Sequence, residues 1–310
     1  MSRKVLVTGG AGFIGSHTVE GLLEGGAHVR VLDNLSTGKR SNLPAHKNLD
    51  LQVGDIRNPN DVAMAMQGMT HVLHLAAQVS VQASVEDPPT SCSQNILGFV
   101  NVLHAARRQQ VRRMVYASSA AVYGIPESVP LTETASLRPI SPYGLEKHVN
   151  EQYAALFQTL YGFSSLGLRY FNVFGPRQDP KSPYAGVISK FIERISGQQA
   201  LMVFGDGLQT RDFIFVKDIA RANLAALEGM ETGACNVGTG QSWTLLEVIE
   251  ALSACVQKPL AVEHLPERGG DIRHSAAQVG RIQQHLGFTA QTPLKAGLKE
   301  LLDYLCAVKA

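Results

Sequence analysis

The stretch VLVTGGAGFIGSH, residues 5–17, constrains the fold more than any other. A short apolar run ends in glycines, and a helical pattern starts at once. The run contains both Gly10-x-Gly12-x-x-Gly15 and Gly9-x-x-Gly12-x-x-Gly15. Glycines between a strand and a helix permit a tight turn and let the backbone approach a pyrophosphate. The helix start adds free N–H groups and a partial positive charge. Asp33 ends the next predicted strand, at the distance beyond Gly15 that a ribose-binding acid requires. A carboxylate there accepts from ribose hydroxyls and repels a 2′-phosphate, so the pattern points to NAD rather than NADP.

The rest of the chain continues this rhythm. HVRVLD, LDLQVGD, HVLHLAA, RRMVYASS and SSLGLRYFNVFG read as the second to sixth strands. Helical patterns fall between them near 59–67, from about Ser91 to Gln110, and around Tyr143. Strand and helix in alternation predict an α/β fold, a doubly wound parallel sheet of Rossmann type. After Phe174 proline and glycine become denser, which predicts a smaller α/β substrate lobe. We place the dinucleotide domain at 1–174 and the second lobe at 175–310. A strand returning near 234–239 interleaves the two.

Net charge is +2, so a broad polyanion surface is not expected, and neither is nucleic acid. No apolar run is long enough to span a bilayer, so no membrane partner is expected. The glycines interrupt the N-terminal apolar run too soon for a secretory signal. Cys92, Cys235, Cys255 and Cys306 form no C-x-x-C pair. They fit buried, reduced thiols and a cytoplasmic setting. No H-E-x-x-H occurs, so no metal is expected. His71 and His74 flank a strand and read as structural.

VGDIRN ends the third strand with Asp55 and Ile56. In this fold that corner lies beside an adenine. Asp55 is open to two roles, an adenine contact or the cap of the next helix. Ser118 and Ser119 stand at the carboxyl end of the fifth strand, where open sheets bind ligands. Tyr143 and Lys147 follow on the next helix, four apart and so on one face. A hydroxyl, a phenol and an ammonium therefore converge at the mouth of a dinucleotide site. A free phenol needs a drop of about three pH units, or about 4 kcal/mol, to act as a base near neutrality. One positive charge about 4 Å away at an effective dielectric of about 20 supplies a similar amount. Lys147 and a cationic nicotinamide are expected to meet that demand together.

Taken with the glycine loop and Asp33, Ser119 and Tyr143-x-x-x-Lys147 resemble the extended short-chain dehydrogenase/reductase family. DNLSTG at 33–38, LRYFNVFGPRQ at 168–178, GDGLQTRDFIFVKDIA at 205–220 and NVGTG at 236–240 resemble its nucleotide-sugar 4-epimerase branch. The resemblance covers nearly the whole chain. It implies a catalytic set of Ser119, Tyr143 and Lys147. It implies NAD contacts at Gly9, Gly12, Phe13, Ile14, Gly15, Asp33, Asn34, Asp55, Ile56, Ala76, Tyr143 and Lys147. Relatives that dehydrate or decarboxylate carry carboxylates just before the Val-Tyr-Gly segment. Here Ala120 and Ala121 stand there, and a methyl group moves no proton.

The same resemblance implies that Asn172, Arg211 and Arg268 hold a diphosphate. Backbone groups around Leu201 to Val203 would read a uracil, which makes a UDP-sugar the expected substrate. Seven residues after the second arginine, the family places a gate. Here it is Ser275, small enough to admit an N-acetyl group that Ser80 and Gln82 would bond. The reaction implied is 4-epimerisation of UDP-N-acetylglucosamine, with the unsubstituted glucose pair tolerated. Epimerisation of the glucose pair alone, a net oxidoreductase and a non-catalytic NAD-binding regulator remain open at this point. A homodimer through the helices at 91–110 and 143–161 is also implied.

Overall fold

The computed structural model describes residues 3–179, 186–267, 269–270 and 272–309. The first half builds six strands in chain order: β1 (Lys4–Thr8), β2 (His28–Asp33), β3 (Leu49–Val53), β4 (His71–His74), β5 (Arg113–Ser119) and β6 (Ser165–Tyr170). Between them lie α1 (Phe13–Glu24), α2 (Pro59–Met66), α3 (Val81–Glu86), α4 (Pro88–Cys92), α5 (Gly98–Arg108) and α6 (Pro142–Tyr161). All six residues of β6 are buried, as apolar strands covered on both faces should be.

The sequence pattern reads residues 164–175 as one strand, but the chain leaves the sheet after Tyr170. Residues Asn172–Phe174 form a separate strand, β7. The remainder of the chain adds β8 (Leu201–Phe204), β9 (Thr210–Arg211), β10 (Phe213–Phe215), β11 (Gly233–Val237), β12 (Trp243–Thr244) and β13 (Val262–Leu265). Its helices are α7 (Val187–Ser196), α8 (Val216–Glu228), α9 (Leu245–Val256), α10 (Gly280–Leu286) and α11 (Leu294–Lys309). Phe213 pairs with Asn172, so β7 belongs with β10. The sequence hides this bend because an apolar run reads alike whether it continues a strand or turns into a neighbouring one.

The main sheet is parallel, in the order β11-β6-β5-β4-β1-β2-β3. Its order reverses between β1 and β4, so the binding crevice opens there, at the carboxyl ends. One face is covered by α1 and α8, through Val19, Leu22, Ile219 and Ala222. The other is covered by α2, α5 and α6, through Val62, Phe99, Val102 and Ala154. A third cluster, including Phe174, Phe191, Leu201, Phe215, Leu252 and Leu298, forms the core of the second lobe.

The helix expected from Ser91 begins earlier, at Pro88, and opens into one wider turn over Ser93–Leu97 before α5. The cysteines differ from expectation. Cys235 alone is buried, whereas Cys92 and Cys306 are exposed and Cys255 is half-buried. Their spacing excludes a dithiol but says nothing of which helix face each occupies. Among the described residues, no helix is long and apolar enough to cross a membrane.

Candidate active site

The glycine loop joins β1 to α1. Gly9 has a φ of +70°, and a Cβ there would lie 2.7 Å from the Ala76 nitrogen. A Cβ on Gly15 would lie 2.2 Å from the Gly9 carbonyl oxygen. The first turn of α1 therefore sits directly on the loop. Gly12 occupies the N-cap and offers no side chain to the first-turn amides, those of Phe13 and Ile14 among them. Uncapped amides over a cradle too tight for a Cβ suit a pyrophosphate.

Asp33 is buried and accepts from the amides of Ala11, at 3.0 Å, and Leu35, at 2.9 Å. It thus anchors the glycine loop while standing at the end of β2. Asn34 donates to Asp55 at 3.2 Å. Asp55 does not cap α2; Asn58 does, accepting from the Asn60 amide. The Arg57 guanidinium hydrogen-bonded to Asp55 holds its carboxyl at about 2. Ile56 turns into the core against Gly98, where a Cβ would meet its Cδ1 at 2.5 Å. Ala76 donates its N–H to Thr8 Oγ1. These residues line one crevice, and their donors and acceptors fit NAD.

The residues expected to transfer a proton, Ser119, Tyr143 and Lys147, stand on β5 and α6. Ser141 caps α6 by accepting from the Gly144 amide, and Pro142 occupies the first helical position. A Cβ on Gly144 would lie 2.6 Å from the Ala121 oxygen, so its absence lets α6 press against the turn that follows Ser119. Ser119 closes β5 and accepts from the Ala121 amide. Ser84, fully buried, accepts from the Tyr143 amide at 3.1 Å. Lys147, 3% exposed, donates its Nζ to the Ala117 carbonyl at 3.0 Å.

In the chain by itself, burial shifts both members of the Tyr143–Lys147 pair. Burial pushes the Tyr143 phenol up to about 12; its Ser119 hydrogen bond opposes this, and the Glu146 charge adds to it. Burial likewise brings the Lys147 ammonium down to about 8, against the charge of Glu146. Desolvation of the phenol therefore outweighs the hydrogen bond from Ser119. His74, beneath them, bonds Thr8 Oγ1 at 2.8 Å. Burial and the Lys147 charge hold its pKa at about 3, so it is a neutral structural group.

A buried polar network that sequence reasoning missed fixes this geometry. Glu151 lies one turn beyond Lys147. It accepts from Arg169 on β6 at 2.9 and 2.7 Å and from Ser118 at 2.6 Å. Arg169 also donates to the Tyr123 hydroxyl, which donates to Asn236 on β11. The Lys-x-x-x-Glu spacing of Lys147 and Glu151 was visible, but no local signal names an arginine on the following strand.

The second lobe brings several expected residues together. Asn172 donates its N–H to the Asp212 carbonyl, next to Arg211. Arg211 is half-buried and pairs with Trp243 in a short ladder. Ser275, 8% exposed, donates its N–H to Thr210, so it lies beside Arg211. Buried Asp212 ties this region to NVGTG, accepting from Thr239, Gly240 and Ala277. Arg268 lies outside the described residues.

The side chains of Leu201 and Val203 are fully buried. The Leu201 N–H goes to Ala261 and that of Gly205 to Leu265. Strand alternation turns the backbone of Val203 the same way, toward β13. The backbone of Met202 therefore faces away from β13, within the Leu201–Val203 stretch named from the sequence, while the Phe204 carbonyl accepts from Gln209 Nε2 at 2.9 Å. Ser80 caps α3, accepting from Ala83. Gln82 is exposed and donates to Glu86.

The model of the NAD dependent epimerase/dehydratase family matches residues 5–238. The chain belongs to that family. Within it, the UDP-glucose 4-epimerase of Mycolicibacterium smegmatis is 37% identical over 309 residues, spanning 97% of this chain and 98% of that one. A UDP-N-acetylglucosamine 4-epimerase from Methanobrevibacter ruminantium, solved with UDP-N-acetylmuramic acid, superposes with a TM-score of 0.96 at 38% identity. It covers 99% of both chains. The Thermus thermophilus UDP-glucose 4-epimerase, solved with NAD, gives a TM-score of 0.90 at 40% identity, covering 98% of this chain and 99% of that one. The chain is thus an NAD-dependent isomerase of the nucleotide-sugar 4-epimerase branch.

Proposed function

We propose that the enzyme interconverts UDP-N-acetylglucosamine and UDP-N-acetylgalactosamine through a transient 4-keto sugar, and also accepts the glucose and galactose pair. The supporting observation is Ser275, a small side chain held beside Arg211 at the position expected to gate the sugar. The names of the M. smegmatis and T. thermophilus relatives favour a second reading, in which the glucose pair is the sole substrate.

When bound, NAD supplies a hydride acceptor and donor at carbon 4 and a positive charge beside the phenol. Tyr143 takes the proton of the 4-hydroxyl, and Ser119 hydrogen-bonds the same oxygen. Lys147 stabilises the phenolate and bonds the nicotinamide ribose. After the keto sugar turns over, Tyr143 returns the proton to the oxygen of the opposite configuration. Ala120 and Ala121 offer no second acid or base, which keeps the chemistry at carbon 4. Asn172, Arg211 and Arg268 hold the diphosphate, and Arg suits it through its planar fork. The backbone of Met202, turned away from β13, reads the uracil.

Leu145, Leu156 and Leu160 are exposed on α6, and Leu97 is exposed just before α5. That apolar face supports a homodimer in the cytoplasm, which light scattering of the purified protein would detect. For the reaction, purified protein is incubated with UDP-N-acetylglucosamine and separately with UDP-glucose. Anomeric protons are followed by magnetic resonance. Conversion of both supports the proposal, conversion of the second alone supports the other reading, and conversion of neither overturns both.

A further inference from the structure

We propose that Glu146 is the counter-charge of the catalytic pair, a positioning residue that touches neither sugar nor dinucleotide. It balances the positive charge gathered at Lys147. Glu146 is 4% exposed and lies between Tyr143 and Lys147 on α6. Its carboxylate accepts from Ser91 at 2.8 Å and from Asn95 at 2.6 Å. Both donors are neutral, so hydrogen bonds satisfy its oxygens without neutralising its charge. Asn95 sits in the wide turn before α5 and also holds both backbone groups of Gln78, on the segment after β4. The carboxylate is thereby locked to the wall of the crevice as well as to the catalytic helix.

A buried carboxylate fixed by neutral donors imposes a negative potential on its neighbours. The groups around Lys147 are few. Tyr143 and Glu146 share its helix, and Glu151, one turn on, is already paired with Arg169. His74 faces it from β4 and is neutral, and the Ala117 carbonyl faces it from β5. Glu146 is therefore the unpaired anion of this set. Bound NAD brings a second positive charge to a site that already buries an ammonium. Without Glu146, Lys147 would shed its proton near neutral pH and no longer favour the phenolate.

Glu146→Gln removes the charge while keeping volume and an acceptor for Ser91 and Asn95. Loss of a negative neighbour favours deprotonation of both the phenol and the ammonium. The acid and alkaline limbs of the kcat–pH profile should therefore both slide down by about one pH unit. A purely structural residue would lower the bell without moving it. Purified Glu146→Gln protein should also retain oxidised cofactor less well than reduced cofactor, read as the NAD to NADH ratio released on denaturation. Unmoved limbs overturn the proposal. If Glu146→Gln does not fold, Glu146→Asp decides: it keeps the charge and should keep wild-type midpoints, and a shift there overturns it. The inference rests on Tyr143 and Lys147 being the acid–base pair. Normal turnover by Tyr143→Phe would refute that pair. An inactive Tyr143→Phe beside a wild-type profile in Glu146→Gln would refute only the role of Glu146.

Discussion

Lys147 Nζ stands 5.7 Å from the centre of the Tyr143 ring, and its hydrogen bond goes to the Ala117 carbonyl rather than to the phenol. The ammonium is thus fixed by the strand that carries Ser119, and acts on the phenol through space. Tyr143→Phe leaves this frame intact and removes only the proton carrier. Its kcat should fall by about 10²–10⁴-fold with cofactor still bound, as read by anomeric-proton spectra and released NAD.

Lys147 also strains the fold. Its pKa in the folded chain, about 8, lies below the usual 10.5. Between those values the unfolded chain binds the extra proton, so stability rises with pH across that window. Below pH 8 the full penalty applies. Lys147→Met should therefore relieve up to about 3 kcal/mol in cofactor-stripped protein at pH 7, less the cost of leaving Glu146 without its cation. The gain should shrink as pH rises from 8 toward 10.5, and urea unfolding at several pH values measures it. Activity should be lost, the expected exchange of stability for function.

Gly15→Ala puts a methyl carbon against the Gly9 carbonyl oxygen, at 2.2 Å before relaxation. The first turn of α1 must then lift from the loop that cradles the pyrophosphate. We expect protein that purifies without NAD, shown by its 260 to 280 nm absorbance ratio. A loss of about 1–3 kcal/mol in stability should accompany it.

Ser275→Tyr fills the space beside Arg211. Turnover of the N-acetylated pair should fall roughly tenfold or more, while the glucose pair is largely spared. Steady-state rates with all four sugars check this, and an equal loss for both pairs would remove the gate.

Much of the first lobe was legible because its signals are local. Strand, glycine turn and helix follow one another within residues 5–17, and Tyr143 and Lys147 share a face by spacing alone. What escaped depends on long-range pairing. The departure of β7 is set by its partner β10, beyond α7 and β8 in the chain, and not by anything in LRYFNVFG. Nothing local singles out Glu146, because its partners Ser91 and Asn95 come from elsewhere in the chain. The upward shift of the Tyr143 phenol in the chain by itself was hidden for a similar reason. A sequence shows which charge is near but not how much water is gone. Within Leu201–Val203, the outward backbone of Met202 follows by alternation once β8 is known to pair with β13.

The chain re-enters the main sheet at β11 after building part of the second lobe, and α8 has by then been laid across one face. Neither lobe can be excised as a contiguous segment: ending the chain at Phe174 would leave β6 with a naked border and strip the α8 cover from β4 and β5. New substrate preferences in such a molecule cannot arise by swapping one end of the gene for another. They must come by point changes in the loops, with the scaffold inherited whole.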